Sequence, residues 1–324
     1  MIKVQCIFYP FNVPVELLFS IPILGIKKKE MNYSVLLFYK YVHVENPQEI
    51  VDRHLQWCLN NDIKGRVFIA GEGINGTVSG TKENIEKYKS HLKSFTVFKD
   101  IWFKEDDAEE HAFFKMHVRL KNEIVNSGLE DVSLKNGGKR LTPDKLLEFY
   151  EEGKEFIIID ARNWYESKIG RFKNALTPPM KNFREWKKVA EELKDQKNKT
   201  IVTYCTGGIR CEKASAYLME NGFKDVYQLE GGIVNFIKKH PDTYWEGGMF
   251  VFDERRVVNP NTKDELQHIA RCHFCNKPTS YYINCHNQLC DRLFVCCHDC
   301  KVKYDYCCSD ECRNSSNKRL RYYG

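Results

Sequence analysis

A chain of 324 residues, 42% hydrophobic and 29% charged, has the balance of an ordinary folded protein and room for two or three cores. Its net charge of +6 permits an acidic partner such as RNA without requiring one. Ten of the fourteen cysteines fall between Cys272 and Cys312. That clustering excludes a disulfide framework spread over the chain and points to a local metal-binding device in a reducing compartment, the cytoplasm.

Residues 1–30 include "VPVELLFSIPILGI", Val13 to Ile26, which is too short for a membrane span and is interrupted by Pro14 and Pro22. No basic leader or small-residue cleavage site accompanies it, so no membrane attachment is expected. The working protein is expected to begin near Met31, with residues 1–30 a start-site extension or tail.

From 31 to 130, strand and helix signals alternate. "YSVLLFYKYV" is an apolar strand, and Asn46 and Pro47 then open a helix in which Ile50, Val51, His54, Leu55 and Cys58 recur at helical spacing. "GRVFIAG" is a second strand, "GINGTVSG" carries turn residues into a third, and Thr81 caps a second helix. Strands near Ile101 to Phe103 and Phe114 to Val118 complete a β-α-β-β-α-β order, which predicts a ferredoxin-like sandwich with an antiparallel sheet. Within "GEGINGT", Gly71, Gly73 and Gly76 either satisfy turn geometry or let backbone approach an RNA phosphate or a neighbouring active site; Glu72 and Asn75 are candidate supporting residues.

A linker around Asn136 to Lys139 leads to a second unit, 140 to 245, with Thr142 capping a helix that starts at Pro143. "FIIIDAR", "TIVTYC" and "DVYQLEGG" are strands separated by helices "FREWKKVAEELKDQ" and "CEKASAYLMENG", the pattern of a parallel α/β sheet. Ligands of such sheets sit at the carboxyl ends of strands, where Cys205 lies. Thr206, Gly207, Gly208 and Ile209 form a tight loop whose amides can turn inward. Arg210 and the next helix start add positive potential, an environment that lowers a thiol pKa. Cys211 is either a resolving thiol or a packed residue.

From 246 to 324 the chain reads "CHFC", "CHNQLC", "CCHDC" and "CCSDEC". Four cysteine pairs suit two four-coordinate zinc ions, two pairs to each. The predicted ligands are Cys272, Cys275, Cys285, Cys290, Cys297, Cys300, Cys308 and Cys312, with Cys296 and Cys307 as alternates. With every position filled by sulfur, the zinc is expected to be structural. His273, His286 and His298 lie inside the knuckles. The tail carries Arg313, Lys318, Arg319, Arg321, Tyr322 and Tyr323, either an RNA-binding mixture of charge and rings or a frayed end.

Strand, cysteine, short glycine-rich loop, arginine and helix, preceded by "IDARNWYE", resemble a rhodanese domain, whose cysteine carries a persulfide. The resemblance makes Asp160 and Arg162 a structural pair near the loop and matches Glu166 to the family's following acid. Arg171 stands where that family has histidine. "GRVFIAGEGINGTVSG", "CTGGIRCEKASAYL", "WEGGMFVFDERRVV" and the cysteine cluster, in unbroken order from Met31 to Cys312, resemble the rhodanese-related tRNA uridine hydroxylases. That resemblance implies oxygen-dependent conversion of the wobble uridine, position 34 of the tRNA anticodon loop, to 5-hydroxyuridine, with Cys205 essential. Dioxygen is then the co-substrate, with an electron donor that the residues do not name; no flavin or nicotinamide fingerprint is present. A persulfide sulfurtransferase and a non-enzymatic RNA-binding or zinc-dependent interaction protein are the competing readings. The intact Cys205, Gly207, Gly208 and Arg210 argue against the last.

Overall fold

The computed structural model describes residues 31–129, 131–262 and 265–319. Residues 1–30 and the tail residues Arg321, Tyr322 and Tyr323 lie outside the described residues.

The first layer comprises β1 (Tyr33–Tyr41), α1 (Pro47–Asn60), β2 (Lys64–Ala70), β3 (Gly73–Thr81), α2 (Lys82–Ser94), β4 (Trp102–Ala108) and β5 (Met116–Leu120). The sheet order is β4-β1-β3-β2-β5. The period of two along each strand sends Leu36, Phe38, Val67, Ile69, Ile74 and Val78 to one side, where they meet Ile85, Tyr88 and Leu92 of α2 and Cys58 of α1. Thr81 Oγ1 accepts from the Asn84 amide at 3.2 Å, fixing the start of α2. Asn46 precedes α1 without a side-chain cap bond.

Two expectations need correction. The sheet is not wholly antiparallel, because the chain crosses from the β4 edge to the opposite edge, where β5 pairs parallel to β2 from Gly65↔Met116 to Ile69↔Leu120. "GINGTVSG" is also strand from its first residue rather than turn. Gly73 has φ +142°, and a Cβ there would lie 2.0 Å from the Lys40 carbonyl oxygen; at Gly76 one would lie 2.6 Å from the Phe38 ring. These glycines let the central strands pack closely.

The second layer contains β6 (Lys139–Leu141), α3 (Pro143–Glu151), β7 (Ile157–Asp160), α4 (Trp164–Ile169), β8 (Gly170–Phe172), α5 (Trp186–Glu192), β9 (Thr200–Tyr204), α6 (Ile209–Glu220), β10 (Asp225–Leu229) and α7 (Gly232–Lys239). Its parallel sheet runs β6-β10-β9-β7, so Lys139, placed in the linker by sequence, already opens a strand. Adjacent residues of β9 enter opposite cores. Ile201 packs with Trp186, Ala214 and Leu218, and Val202 with Leu146, Phe149 and Phe236. A sheet covered on both faces reads as continuous apolar runs, as these strands do.

The remainder holds β11 (Trp245–Gly247), antiparallel to β8, then β12 (Met249–Phe250) with β13 (Val257–Val258) and β14 (Tyr282–Asn284) with β15 (Leu293–Val295). Two short helices, α8 (His298–Lys303) and α9 (Asp310–Asn314), follow. Here cysteines themselves make up much of the core. Among the described residues, no helix is long and apolar enough to cross a membrane.

Candidate active site and metal centres

Cys205 follows the last residue of β9, and α6 begins at Ile209, two residues before the helix start expected at Cys211. The shift puts both Arg210 and Cys211 in the first turn. Gly208 makes the turn possible with φ +100°, a left-handed conformation that disfavours side chains. Its amide donates to Cys205 Sγ at 3.2 Å. The carbonyls of Cys205 and Thr206 point the other way, accepting from the amides of Ile233 and Val234 at 3.0 and 3.1 Å. Gly232 permits this contact, since a Cβ there would lie 2.4 Å from the Cys205 carbonyl oxygen. Thr206 Oγ1 is buried with no protein partner.

Arg210 donates to both carboxylate oxygens of Glu166, at 2.7 and 2.8 Å, and that carboxylate also accepts from the Asn163 amide at 3.0 Å. Arg162 and Asp160 form a second buried pair at 2.6 Å, and Arg162 also donates to the Gly170 carbonyl at 2.6 Å. Asp160 lies in register with Tyr204, so this pair braces the strand end that delivers Cys205.

Cys205 is only 1% exposed. Burial alone would raise its thiol pKa. A hydrogen bond from Cys211, the Arg210 charge and the amides of Arg210 and Gly208 outweigh burial and pull it below the ordinary thiol range. Cys211, fully buried and beside that sulfur, is pushed the opposite way and stays a protonated donor.

The face of the first sheet away from α1 and α2 covers this loop. A Cβ on Gly207 would come within 2.7 Å of Leu37 Cδ2, and one on Gly208 within 3.1 Å of the Tyr39 hydroxyl. Tyr39 donates to Glu212 of α6 at 2.9 Å, and Arg140 donates to the same carboxylate oxygen at 2.7 Å. Between sheet and loop lies a cleft of ≈ 450 Å³ lined by Leu37, Asn75, Lys104, Thr206, Gly207 and Arg210, among others. Asn75 thus faces the cleft, and its amide donates to the Ile124 carbonyl at 2.9 Å. Glu72 does not line it. Its carboxylate lies 2.9 Å from the buried Lys213 ammonium, which also meets Glu123 at 3.0 Å, so Glu72 ties the sheet to α6.

Sequence reasoning missed Leu37, Tyr39 and Lys104. The available signal was "YSVLLFYKYV" itself, apolar at both alternating sets of positions and therefore covered on both faces. Lys104 is 7% exposed, 4.4 Å from the Trp102 ring centroid and 5.0 Å from that of Tyr39. Burial pulls its ammonium down to about 8.

The eight cysteines predicted as ligands gather into two sets, Cys272, Cys275, Cys297 and Cys300, and Cys285, Cys290, Cys308 and Cys312, with sulfurs within 4.8 Å of one another in each. The pairs interleave, first with third and second with fourth. Tetrahedral Zn–S bonds of about 2.3 Å require sulfurs about 3.8 Å apart. The Cys275–Cys297, Cys290–Cys308 and Cys308–Cys312 separations are 3.6, 3.7 and 3.9 Å, so both sets fit a metal ion. Cys296 and Cys307 are buried outside the sets, with their sulfurs near the Cys297 and Asp305 carbonyls. His273, His286 and His298 contact aromatic rings instead. In the described part of the tail, Arg313 pairs with Asp305 at 3.3 Å and Arg319 with Asp291 at 2.5 Å, and a bridge joins Lys318 to Asn287. That stretch is fastened to the cysteine-rich region rather than frayed.

Three family models match in order: the UPF0176 acylphosphatase like domain over residues 33–124, the rhodanese-like domain over 142–239 and the rhodanase C-terminal domain over 246–313. A protein of Acholeplasma laidlawii called tRNA uridine(34) hydroxylase is 46% identical over 297 residues, covering 90% of this chain and 92% of its own. One of the same name from Bacillus cytotoxicus is 46% identical over 291 residues, covering 87% and 88%. A third, from Staphylococcus haemolyticus, is 45% identical over 298 residues, covering 90% and 92%. With that identity sustained through all three regions, the chain belongs to the tRNA uridine(34) hydroxylase family.

Proposed function

We propose that this protein hydroxylates C5 of the uridine at position 34 of tRNA, with the Cys205 sulfur as the reacting group. The observation that carries the reading is the thiolate cradle of Cys205, Gly208 and Arg210 in a loop whose Thr206, Gly207 and Arg210 line a ≈ 450 Å³ cleft. Such a volume falls among small-ligand pockets and suits one extruded nucleoside. Gly208 and Arg210 supply amides, Arg210 also supplies positive charge, and Asp160, Arg162 and Glu166 hold the frame. The neighbouring Cys211 thiol favours the thiolate on Cys205 rather than on itself.

In the overall balance, C5–H becomes C5–OH with one atom of dioxygen. The other leaves as water, taking up two protons and two electrons from an external reductant. Zinc fits the two sulfur sets, one ion in each. With four thiolates per ion and no open position, its contribution is to hold the region from Cys272 to Cys312 folded. In this division of labour, 31–130 covers the site and 140–245 carries the reacting sulfur. A tRNA substrate makes the cytoplasm the working compartment.

Deletion of the gene, complemented with the wild type or Cys205→Ser, tests this reading by mass spectrometry of digested tRNA in a strain lacking redundant pathways. The expected result is 5-hydroxyuridine only with the wild type and only in air. Its persistence in the deletion strain would refute the proposal.

A further inference from the structure

The register of the first sheet aligns two rows of side chains on its helix-free face. One row runs Lys104, Leu37, Thr77, Arg66 and His117; the next runs Trp102, Tyr39, Asn75, Phe68 and Arg119. Neither row contains a carboxylate. At a strand spacing of about 4.8 Å the rows extend about 19 Å from β4 to β5.

The β1 part of this face lies against the Cys205 loop, through the close approach of Leu37 to Gly207 and of Tyr39 to Gly208. Arg66 and Phe68 line the same cleft and continue outward to His117 and Arg119 on the edge strand. Arg66 and Arg119 are exposed, as are Lys115 and Lys121 at the two ends of β5. Among the described residues, none of these four cations is within ion-pair distance of a carboxylate. Lys121 Nζ lies 5.6 Å from the Phe68 ring centroid. Burial and then the neighbouring charges of Arg119, Lys115 and Arg66 hold His117 below the ordinary imidazole range.

We propose that the β2–β5 half of this sheet face is a single-stranded RNA platform, with Arg66 and Arg119 on phosphates and Phe68 under a base, and that it leads the target nucleotide into the cleft beside the Cys205 loop. The chemistry is specific to an unpaired strand. Unneutralised cations attract phosphate, and the half-buried Phe68 ring between them offers a stacking surface that bases inside a duplex cannot use. This inference rests on the hydroxylase reading for the identity of the RNA and goes beyond it in locating the contact.

The test uses the full chain and a 17-nucleotide anticodon stem-loop with uridine at the wobble position. Binding is followed by fluorescence anisotropy against salt, and hydroxylation is measured in parallel in cells. Arg66→Ala/Arg119→Ala is compared with Lys87→Ala/Lys93→Ala, a charge-matched pair from α2 on the opposite face. Both arginines are exposed, so their removal spares the core. The expected result is an affinity loss of about tenfold or more, with the slope of log K against log salt reduced by about 1.4, or about 0.7 per lost phosphate contact. The α2 pair and the alkylation rate of Cys205 should stay at wild-type values. Phe68→Leu should weaken binding without changing the salt slope. Wild-type affinity and slope in the double arginine variant, or no RNA binding by the wild type, would overturn the platform. If the wild type binds through these arginines but makes no 5-hydroxyuridine, the reaction assignment fails and the platform stands.

Discussion

Glu166 holds Arg210 by two hydrogen bonds of 2.7 and 2.8 Å, tying the first turn of α6 to α4 in a buried carboxylate–guanidinium fork. The pair fixes the arginine whose charge favours the Cys205 thiolate. Removing one partner of a buried pair leaves an uncompensated charge, which destabilises by about 3–5 kcal/mol. Glu166→Gln should therefore lower urea stability by that order. A change under about 1 kcal/mol would mean that the fork does not anchor the loop.

The thiolate prediction concerns pH. A thiol whose folded pKa is depressed is ionised at neutral pH, and its reactivity is lost only as pH falls through that depressed value. Alkylation of the Cys205 peptide, followed by mass spectrometry, should therefore have a midpoint below the value of about 8.5 for a free cysteine. Cys211→Ala removes the donor and should raise the midpoint. A midpoint at or above 8.5, or one insensitive to Cys211, would contradict the described electrostatics.

The close approach of sheet and loop can be tested by adding one methyl group. In Gly207→Ala the new Cβ meets the flexible end of Leu37, so the fold should survive while the cleft geometry shifts. Misplacement of about 1 Å at a reacting centre lowers rates on the order of 10-fold to 100-fold. Hydroxylation in cells should fall on that scale, and Leu37→Ala in the same chain should restore part of it. No loss, or no rescue, would remove the sheet from the site.

The Cys205 loop was legible in sequence because its parts are contiguous: a strand end, glycines and an arginine within six residues. The cysteine pairs were legible for the same reason. Their distribution between two ions was not, because spacing within a pair does not specify which distant pair completes the tetrahedron. Tyr39 meets Glu212 across 173 residues of chain, and no local pattern in either segment encodes that partner. The misreading of "GINGTVSG" has another cause. Glycines commonly mark turns, whereas the close approaches of Gly73 to Lys40 and Gly76 to Phe38 arise only once β3 pairs with β1.

The interleaved sulfur sets make a stoichiometric prediction. Elemental analysis of the purified full chain should find two zinc ions. Cys300→Ser should lose about one of them together with thermal stability, since closed tetrathiolate sites contribute directly to folding. Cys296→Ser should keep both. One zinc in the wild type, or a loss on Cys296→Ser equal to that on Cys300→Ser, would contradict the ligand assignment.

The most direct test of the central claim is an isotope pulse. Cells carrying the wild type or Cys205→Ser in the deletion background are exposed briefly to ¹⁸O₂, and newly formed 5-hydroxyuridine at position 34 is weighed by mass spectrometry. The account predicts one ¹⁸O atom per new hydroxyl in the wild type and no product with Cys205→Ser. Oxygen drawn from water, or labelled product with Cys205→Ser, would contradict it.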